Sequence, residues 1–421
     1  MFANNEPSTS LINNDSHDSQ PPIVSDPQPL VSNHQSIFTR RSRDEQHPFT
    51  LRRAATTLLR PEIQVDKNPG FIDSIKHIIC DLHYFNLLLV CIPISWAIYF
   101  AVPDSYILIT IFSFLAKIPL PKLISLSTDE IAIRVSRTLG ILITITLGNI
   151  VELVLAIVSL VKCRPQLVQS SIIGFILNNL LLRFGLSVLA WGFHYSMWEL
   201  TGIATTLNPA MLIVFIASIG LPATFSFSLP TKELGSTDII KISHGLSVIL
   251  LFGYTSYVFF QLYSHVKIYE ESLGSMIKCT VDEIKKDKDK ERNSSANHKQ
   301  EVHMSFIMSV VVLIMSTGLV AFTANILIDS TGNLVQRGSI SENFNGLILL
   351  PLAANAAEHL EIIMIFEAEK LAMSLGTVMA SSIQIALFVF PLVVMLGWFL
   401  NKPLNFMFDL YETIVLFLTG K

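Results

Sequence analysis

The sequence predicts an all-α, polytopic membrane protein of about ten transmembrane helices in two inverted-topology repeats. Of its 421 residues, 51% are hydrophobic and 15% are charged, with a mean hydropathy of +0.53, whereas a soluble domain carries about 25% charged residues. Apolar segments near the length of a spanning helix, about 20 residues, recur along the chain. One short motif, Asn-x-x-Glu, occurs inside an apolar run in each half of the chain.

The N-terminal part of the chain differs from the rest in composition. Residues 1–68 are rich in Ser, Asn, Asp, Pro and Gln and lack sustained apolar periodicity, so they cannot bury enough surface to offset the entropy lost on ordering. We expect them to form a disordered cytosolic tail. Because no basic region followed by an apolar run begins at Met1, we expect no cleaved signal peptide, and the first membrane helix serves as the targeting signal.

Apolar segments of spanning length define the helices of the two membrane halves. Residues 69–265 form the first half, with about six helices, and residues 304–421 form the second half, with about four. The predicted spans are 82–102, 105–126, 138–161, 167–193, 205–228, 242–265, 304–328, 343–366, 371–400 and 404–419. The fourth and ninth are long enough to tilt or to contain a break, for which Pro230 and Pro391 are the usual places.

Basic residues predict the orientation of these helices, because short cytosolic loops carry an excess of Lys and Arg. The tail before the first span is rich in arginine, and the linker over residues 266–303 is rich in lysine. Arg134 and Arg137, after the second span, fall on the same side, while Lys162 and Arg164 fall on the opposite side. We therefore expect a cytosolic N-terminus and a solvated cytosolic linker.

The two Asn-x-x-Glu motifs predict a cation site. The first is Asn149 with Glu152 on the third span, and the second is Asn355 with Glu358 on the eighth. An ionisable residue at bilayer depth costs at least about 2.5 kcal/mol, so it marks an ion or proton path. Residues three apart share one helix face, and the eighth span is five spans further along the chain than the third, an odd number, so the two helices run antiparallel. The four side chains then converge as oxygen donors, with the carboxylates of Glu152 and Glu358 as the metal ligands for a hard cation such as Ca²⁺.

Protons can compete for the same two carboxylates. Without a cation, two glutamates in a low-dielectric site cannot both stay ionised at little cost, so they take up protons instead. The helices that follow the motifs add neutral oxygens for ligation or for interhelical hydrogen bonds: Asn179, Ser381, Ser382 and Gln384. Arg183, one turn beyond Asn179, either pairs with a site carboxylate or extends to the membrane interface.

These motifs resemble a known family. The stretches 148–153, 174–185, 355–359 and 381–389 are similar, in order and with their flanks, to the Ca²⁺/H⁺ exchangers of fungal and plant vacuoles, within the Ca²⁺/cation antiporter superfamily. The resemblance runs from about residue 69 to the C-terminus. It implies that Glu152, Glu358, Asn149 and Asn355 form the cation site. His359 matches the motif histidine of the family, and Gln384 matches its counterpart on the following helix.

The chain departs from the family pattern at several positions. Ala354 and Ala380 stand where the family has glycine, and Phe175 fills a position usually held by serine. The family has eleven spans, whereas this chain ends at Lys421 in or just after the tenth. We therefore expect the second half to be shortened, without the partner of the sixth span.

The resemblance implies a calcium:proton antiporter that moves Ca²⁺ into the vacuolar lumen and contributes to calcium homeostasis. Two alternatives stay open: an exchanger for Na⁺, K⁺ or Mn²⁺, because oxygen ligands suit all of these ions, and a non-transporting scaffold or regulator, because of Arg183 and the lost glycines. The chain lacks phosphate-loop, nucleophile-elbow, zinc-protease and dinucleotide motifs, so we expect a transporter and not an enzyme. We expect no cofactor and no nucleic-acid partner. The expected partners are Ca²⁺, protons and the lipid bilayer, and homo-oligomerisation is left open.

Overall fold

Helices account for all the regular structure in the described part of the chain. The computed structural model describes residues 69–82, 85–194, 211–222, 232–260, 302–364 and 377–419. These stretches contain α-helices and short π-helical segments and no β-strand. The predicted tail over residues 1–68 and nearly all of the predicted linker lie outside them. The all-α fold class is confirmed.

The helices of each half are numbered in chain order. The first half contains α1 Phe71–Leu82, α2 Phe85–Leu89, α3 Cys91–Ala101, α4 Tyr106–Lys117, α5 Pro119–Ala132, α6 Arg137–Gly148, α7 Ile150–Val161, α8 Pro165–Leu177, α9 Phe184–His194, α10 Met211–Pro222 and α11 Lys232–Phe259. The second half contains α12 Phe306–Gln336, α13 Glu342–Phe344, α14 Leu350–Met364, α15 over residues 377–384, α16 Phe390–Phe399 and α17 Leu410–Thr419.

Seven helices in the described residues are long and apolar enough to cross a membrane, so the protein is polytopic as predicted. They are Tyr106–Ala132, Leu142–Val161, Pro165–Ala190, Asp238–Phe259, Phe306–Gln336, Glu342–Met364 and Thr377–Phe399. The first predicted span, 82–102, corresponds to Phe85–Ala101, and the helix Phe71–Leu82 precedes it across a bend of 101°. The fifth and tenth predicted spans contain only the shorter helices α10 and α17, and parts of the fifth lie outside the described residues.

The tenth predicted span begins later than the sequence pattern indicates. We predicted a helix over residues 404–419, but α17 starts at Leu410. Pro403 cannot donate a backbone hydrogen bond, and Asp409 caps the helix, because its Oδ1 accepts a hydrogen bond from the Tyr411 amide at 2.9 Å. Residues 402–409 form no helix, and Leu404, Phe406 and Phe408 within them are buried.

The long helix α12 packs mainly against α4 and α5. A hydrogen bond from Thr110 to Ser330 joins α12 to α4 at 3.0 Å. Large apolar side chains such as Ile107 and Ile307 are 65% and 76% exposed, as expected of surfaces that face lipid.

Two helices cross very closely next to the second motif. Gly174 of α8 faces the segment over Gly346, Leu347 and Pro351, and a β-carbon added at Gly174 would lie 2.6–2.8 Å from atoms of these residues. Glycine therefore allows a contact that a side chain would prevent.

The fourth and ninth spans, which we predicted to tilt or to contain a break, each contain a π-helical segment. The fourth changes from α-helix to π-helix over Asn178–Arg183, and the ninth does so over Ile385–Val389. The second break directly precedes Pro391, which lies in the first turn of α16. Pro230 lies outside the described residues. π-Helical turns shift the side chains that follow them and often occur at functional sites.

Candidate cation site

Glu152 lies in the first turn of α7, directly after a break at Asn149. The backbone of Asn149, with φ −94° and ψ 17°, separates α6 from α7, and its carbonyl oxygen accepts the Leu153 amide at 3.2 Å. Asn149 and Glu152 are buried, at 4% and 3% exposure. Because the positive end of a helix dipole lies at its N-terminus, this position favours a negative charge or a carboxylate ligand.

Asn149 also connects the two halves of the protein. Its Nδ2 donates a hydrogen bond of 3.1 Å to Oε1 of Gln384, 235 positions later in the chain. Gln384 is the last residue of α15, directly before the π-helical segment Ile385–Val389, and is buried. The first motif therefore contacts the helix that follows the second motif.

The second motif lies on α14. Asn355 and His359 are buried, whereas the side chain of Glu358 is 29% exposed. The spacing of these three residues places them on one helix face. Asn355 Nδ2 and His359 Nε2 have no hydrogen-bond partner in the described residues, so this face presents polar atoms that the rest of the described protein does not satisfy.

The first π-helical segment brings Arg183 to the second motif. Arg183 Nη1 lies 3.0 Å from Glu358 Oε2, an ion pair without hydrogen-bond geometry. The same nitrogen donates a hydrogen bond of 3.0 Å to Oδ1 of Asn179. Of the two sequence-based interpretations of Arg183, pairing with a site carboxylate is the one that the structure contains.

A cavity of about 210 Å³ leads to Glu358. Residues of α5, α6, α14 and α15 line it, including Thr144, Gly148 and Ser381. Lys122 and Glu361, which form an ion pair of 2.7 Å, also line it. Glu152 is not part of the lining, so the structure gives a route to one motif carboxylate while the other is enclosed.

The electrostatic influence of Glu358 reaches Glu152. Oε2 of each glutamate has no hydrogen-bond donor in the described residues. A buried carboxylate oxygen without a donor suits a cation or a proton. In the described part of the chain no three His, Cys, Asp or Glu side chains form a metal-binding group. A hard cation bound here therefore takes its other ligands from amide, hydroxyl and backbone oxygens or from water.

The supporting residues predicted from the sequence do not all play the same part. Ser381 lines the cavity beside Glu358, whereas the Ser382 hydroxyl donates to Val378 of its own helix at 2.9 Å. Asn179 serves as an acceptor for Arg183, and its own Nδ2 has no partner in the described residues. Their assignment as cation ligands stays a prediction.

One charged residue near the carboxylates was missed by the sequence reasoning. Lys117 ends α4 and is 1% exposed, and its charge interacts with that of Glu152. Its Nζ has no hydrogen-bond partner among the described residues. The signal was present in the sequence, because Lys117 lies inside the predicted span over 105–126, where any ionisable residue deserves a functional hypothesis.

Relatives of known description match most of the chain. It is 32% identical to a "Vacuolar calcium ion transporter" of Cryptococcus neoformans var. grubii, over 89% of this chain and 74% of the relative. It is also 32% identical to a protein of the same description from Schizosaccharomyces pombe, over 80% of this chain and 76% of the relative. A "Ca(2+)/H(+) antiporter" of a Synechocystis strain is 28% identical over 78% of this chain and 86% of the relative.

Solved structures share the fold. The structure of native YfkE has a TM-score of 0.62 at 23% identity and covers 80% of this chain and 89% of that chain. The crystal structure of the H⁺/Ca²⁺ exchanger CAX has a TM-score of 0.58 at 12% identity, over 82% of this chain and 81% of that chain. The family model described as "Sodium/calcium exchanger protein" matches residues 105–263 and 308–420, which include both motifs. The chain therefore belongs to the sodium/calcium exchanger protein family.

Proposed function

We propose that this protein is a calcium:proton antiporter of the vacuolar membrane, which moves Ca²⁺ into the lumen in exchange for protons by alternating access. The observation that carries the proposal is the pair of motif carboxylates, Glu152 and Glu358, whose charges interact within the membrane-spanning part of the protein. The names of the relatives from Cryptococcus and Schizosaccharomyces support Ca²⁺ and the vacuole. The Synechocystis relative supports the exchange for protons.

The chemistry of the site suits exchange. Two carboxylates match the charge of one Ca²⁺ ion, and the same oxygens can each take a proton when the cation is absent. Cation and protons therefore exclude each other from one site. If the site opens to only one side of the membrane at a time, Ca²⁺ can cross in one direction only when protons cross in the other. Transporters with a binding site between two repeats work in this way.

Asn149 and Asn355 supply amide oxygens beside the carboxylates in this proposal, with Gln384 fixing the orientation of Asn149 through their hydrogen bond. The cavity beside Glu358 is the route by which ions reach the site. We assign the loop with Arg134 and Arg137 to the cytosolic side, because short cytosolic loops carry an excess of Lys and Arg. This orientation also places the N-terminal tail and the linker in the cytosol. The protein acts as a secondary transporter without a resident cofactor.

The test is uptake of radioactive Ca²⁺ by vesicles that contain the purified chain and hold an acidic lumen. We expect uptake in wild type that stops when the proton gradient is collapsed, and its loss in Glu152→Gln and Glu358→Gln. The matched control is Glu412→Gln, because Glu412 is a buried carboxylate in α17 that accepts a hydrogen bond from Ser170 at 2.6 Å. Uptake that persists in both motif variants would refute the assignment, and competition by Na⁺, K⁺ or Mn²⁺ measures selectivity.

A further inference from the structure

The cavity at Glu358 contains a second carboxylate of the same helix. Glu361 follows Glu358 by three residues on α14, and both side chains line the cavity. Residues three apart are neighbours on one helix face, with about 5–6 Å between their β-carbons. Glu152 does not line this cavity. An ion that enters the cavity therefore meets the Glu358 carboxylate together with that of Glu361.

Each of the two cavity carboxylates is paired with a basic residue of another helix. Lys122 Nζ of α5 lies 2.7 Å from Glu361 Oε1, and Arg183 Nη1 lies 3.0 Å from Glu358 Oε2. Among the described residues that line the cavity, these four are the charged ones. Positive groups of the protein therefore lie next to both carboxylates, where an incoming metal ion would also bind.

The two basic residues differ in how firmly they are held. The Arg183 side chain is 9% exposed and also donates a hydrogen bond to Asn179. The Lys122 side chain is 24% exposed, and that of its partner Glu361 is 34% exposed. A part-exposed lysine pair contributes little to stability, and the flexible stem of lysine lets the ammonium move away. Lys122 can therefore release Glu361 at low cost when a metal ion arrives.

Hydroxyl groups supply further oxygens around the two carboxylates. The cavity lining includes five of them, on Ser125, Thr128, Thr144, Thr377 and Ser381. The hydroxyl hydrogens of Ser125 and Thr128 are donated to Asp129 and to the Ile124 carbonyl oxygen, so the two hydroxyl oxygens keep lone pairs for a cation. Ca²⁺ binds six to eight oxygens, which two carboxylates, hydroxyl groups and water can provide.

The same cavity reaches the backbone of the first motif. Its lining includes Gly148, which directly precedes Asn149 at the break before α7. A cation held between Glu358 and Glu361 therefore lies in the cavity that extends to the chain segment leading into Glu152.

We propose that Glu361 is a further residue of the cation route, which binds Ca²⁺ together with Glu358 before the ion reaches Glu152. The inference rests on the proposed function, since it concerns the same ion and the same cavity. Ca²⁺ displaces the Lys122 ammonium from Glu361, and the ammonium returns when the ion moves on. An ionisable residue within a membrane span marks an ion path by default, and Glu361 lies within the span Glu342–Met364.

The first experiment isolates the outer position by calorimetry of Ca²⁺ binding to the purified full chain in lipid nanodiscs. Glu152→Gln removes the inner carboxylate, and we expect weaker Ca²⁺ binding to remain between Glu358 and Glu361. Adding Glu361→Gln should weaken this remaining binding about tenfold or more, because the dication loses the attraction of one carboxylate. Adding Glu361→Asp, which keeps the charge, should preserve most of it.

Asp329→Asn in the same Glu152→Gln background is the matched control. Asp329 is also a carboxylate paired with a lysine, Lys162, and the two side chains are 33% and 20% exposed, close to the values for Glu361 and Lys122. Asp329 does not line the cavity, so its replacement should leave the remaining Ca²⁺ binding unchanged.

The second experiment measures Ca²⁺ uptake by vesicles with Glu152 and Glu358 intact. Glu361→Gln should raise the Ca²⁺ concentration that gives half-maximal uptake, with a smaller effect on the maximal rate, because the inner carboxylates are unchanged. Lys122→Met should lower that concentration, because Glu361 then has no competing ammonium. Lys162→Met is the control for the loss of a paired lysine and should leave it unaltered.

The outcomes separate the inference from the proposed function. Uptake by wild type with the same half-maximal concentration in Glu361→Gln overturns the role of Glu361 and leaves the antiporter assignment standing. The same holds if Glu152→Gln unfolds cooperatively but binds no Ca²⁺, because the outer position then does not hold the ion. If wild type itself neither binds nor takes up Ca²⁺ although it unfolds cooperatively, both the proposed function and the inference fail.

Discussion

Replacing Gly174 with alanine tests the close helix crossing beside the second motif. In the structure the added β-carbon would lie 2.6 Å from Cγ of Pro351, 2.7 Å from the Leu347 carbonyl oxygen and 2.8 Å from the Gly346 carbonyl oxygen. Real β-carbons do not approach other atoms this closely, and two of the three neighbours are backbone atoms that cannot rotate away. Overpacking of this kind costs about 1–3 kcal/mol, so α8 must move away from α14 and from the π-helical segment Asn345–Leu349 that precedes it.

The assay is thermal unfolding of the purified protein, followed by Ca²⁺ uptake. We expect Gly174→Ala to unfold at a lower temperature than wild type and to lose uptake, because α8 leads directly into the π-helical segment that holds Asn179 and Arg183. The matched control is Gly185→Ala in α9, where an added β-carbon meets nothing within 4 Å. Alanine is favoured over glycine in a helix by about 1 kcal/mol, so the control should be neutral or more stable. A Gly174→Ala protein as stable and active as Gly185→Ala would refute the predicted crossing.

Two further changes test contacts that hold the halves together. Gln384→Leu removes the acceptor of the hydrogen bond from Asn149, so stability should fall by about 0.5–1.5 kcal/mol in thermal unfolding, while Gln384→Glu keeps an acceptor and should retain most of the stability. No difference between leucine and glutamate would argue against the hydrogen bond. Arg134→Met should raise amide hydrogen exchange around Met304, since Arg134 bonds both Glu130 and the Met304 carbonyl. Unchanged exchange there would show that this contact does not hold the start of the second half.

Much of the helical architecture could be predicted from the sequence, because long apolar runs in a membrane protein leave few alternatives to a helix. The span predicted over 304–328 is the longer helix Phe306–Gln336 in the structure. The prediction ended too early because hydropathy alone excludes polar residues such as Asp329 and Asn333 from a membrane span. The start of α17 was predicted too early, because Pro403 and the cap at Asp409 act on single turns. Hydropathy summed over a whole span does not detect the effect of single residues.

The candidate site shows where sequence reasoning stops. The motif spacing indicates that Asn149 and Glu152 share one helix face, but it does not give the partner across the repeat, which the structure identifies as Gln384. Lys117 was overlooked because a single lysine near the end of an apolar run reads as an interface residue. Its burial depends on how α4 packs against the rest of the protein, and that packing is tertiary information.

The most direct test of the central claim, that Glu152 and Glu358 share one site for Ca²⁺ and protons, is a Ca²⁺ titration of the purified protein at pH values from about 5 to 8. Protonated carboxylates cannot ligate the metal ion, so affinity should fall as the pH is lowered, with a slope approaching about two protons per ion. Glu358→Gln should weaken binding and reduce the slope towards about one. An affinity that does not change with pH, or a slope that Glu358→Gln leaves unaltered, would contradict the shared site and the exchange mechanism built on it.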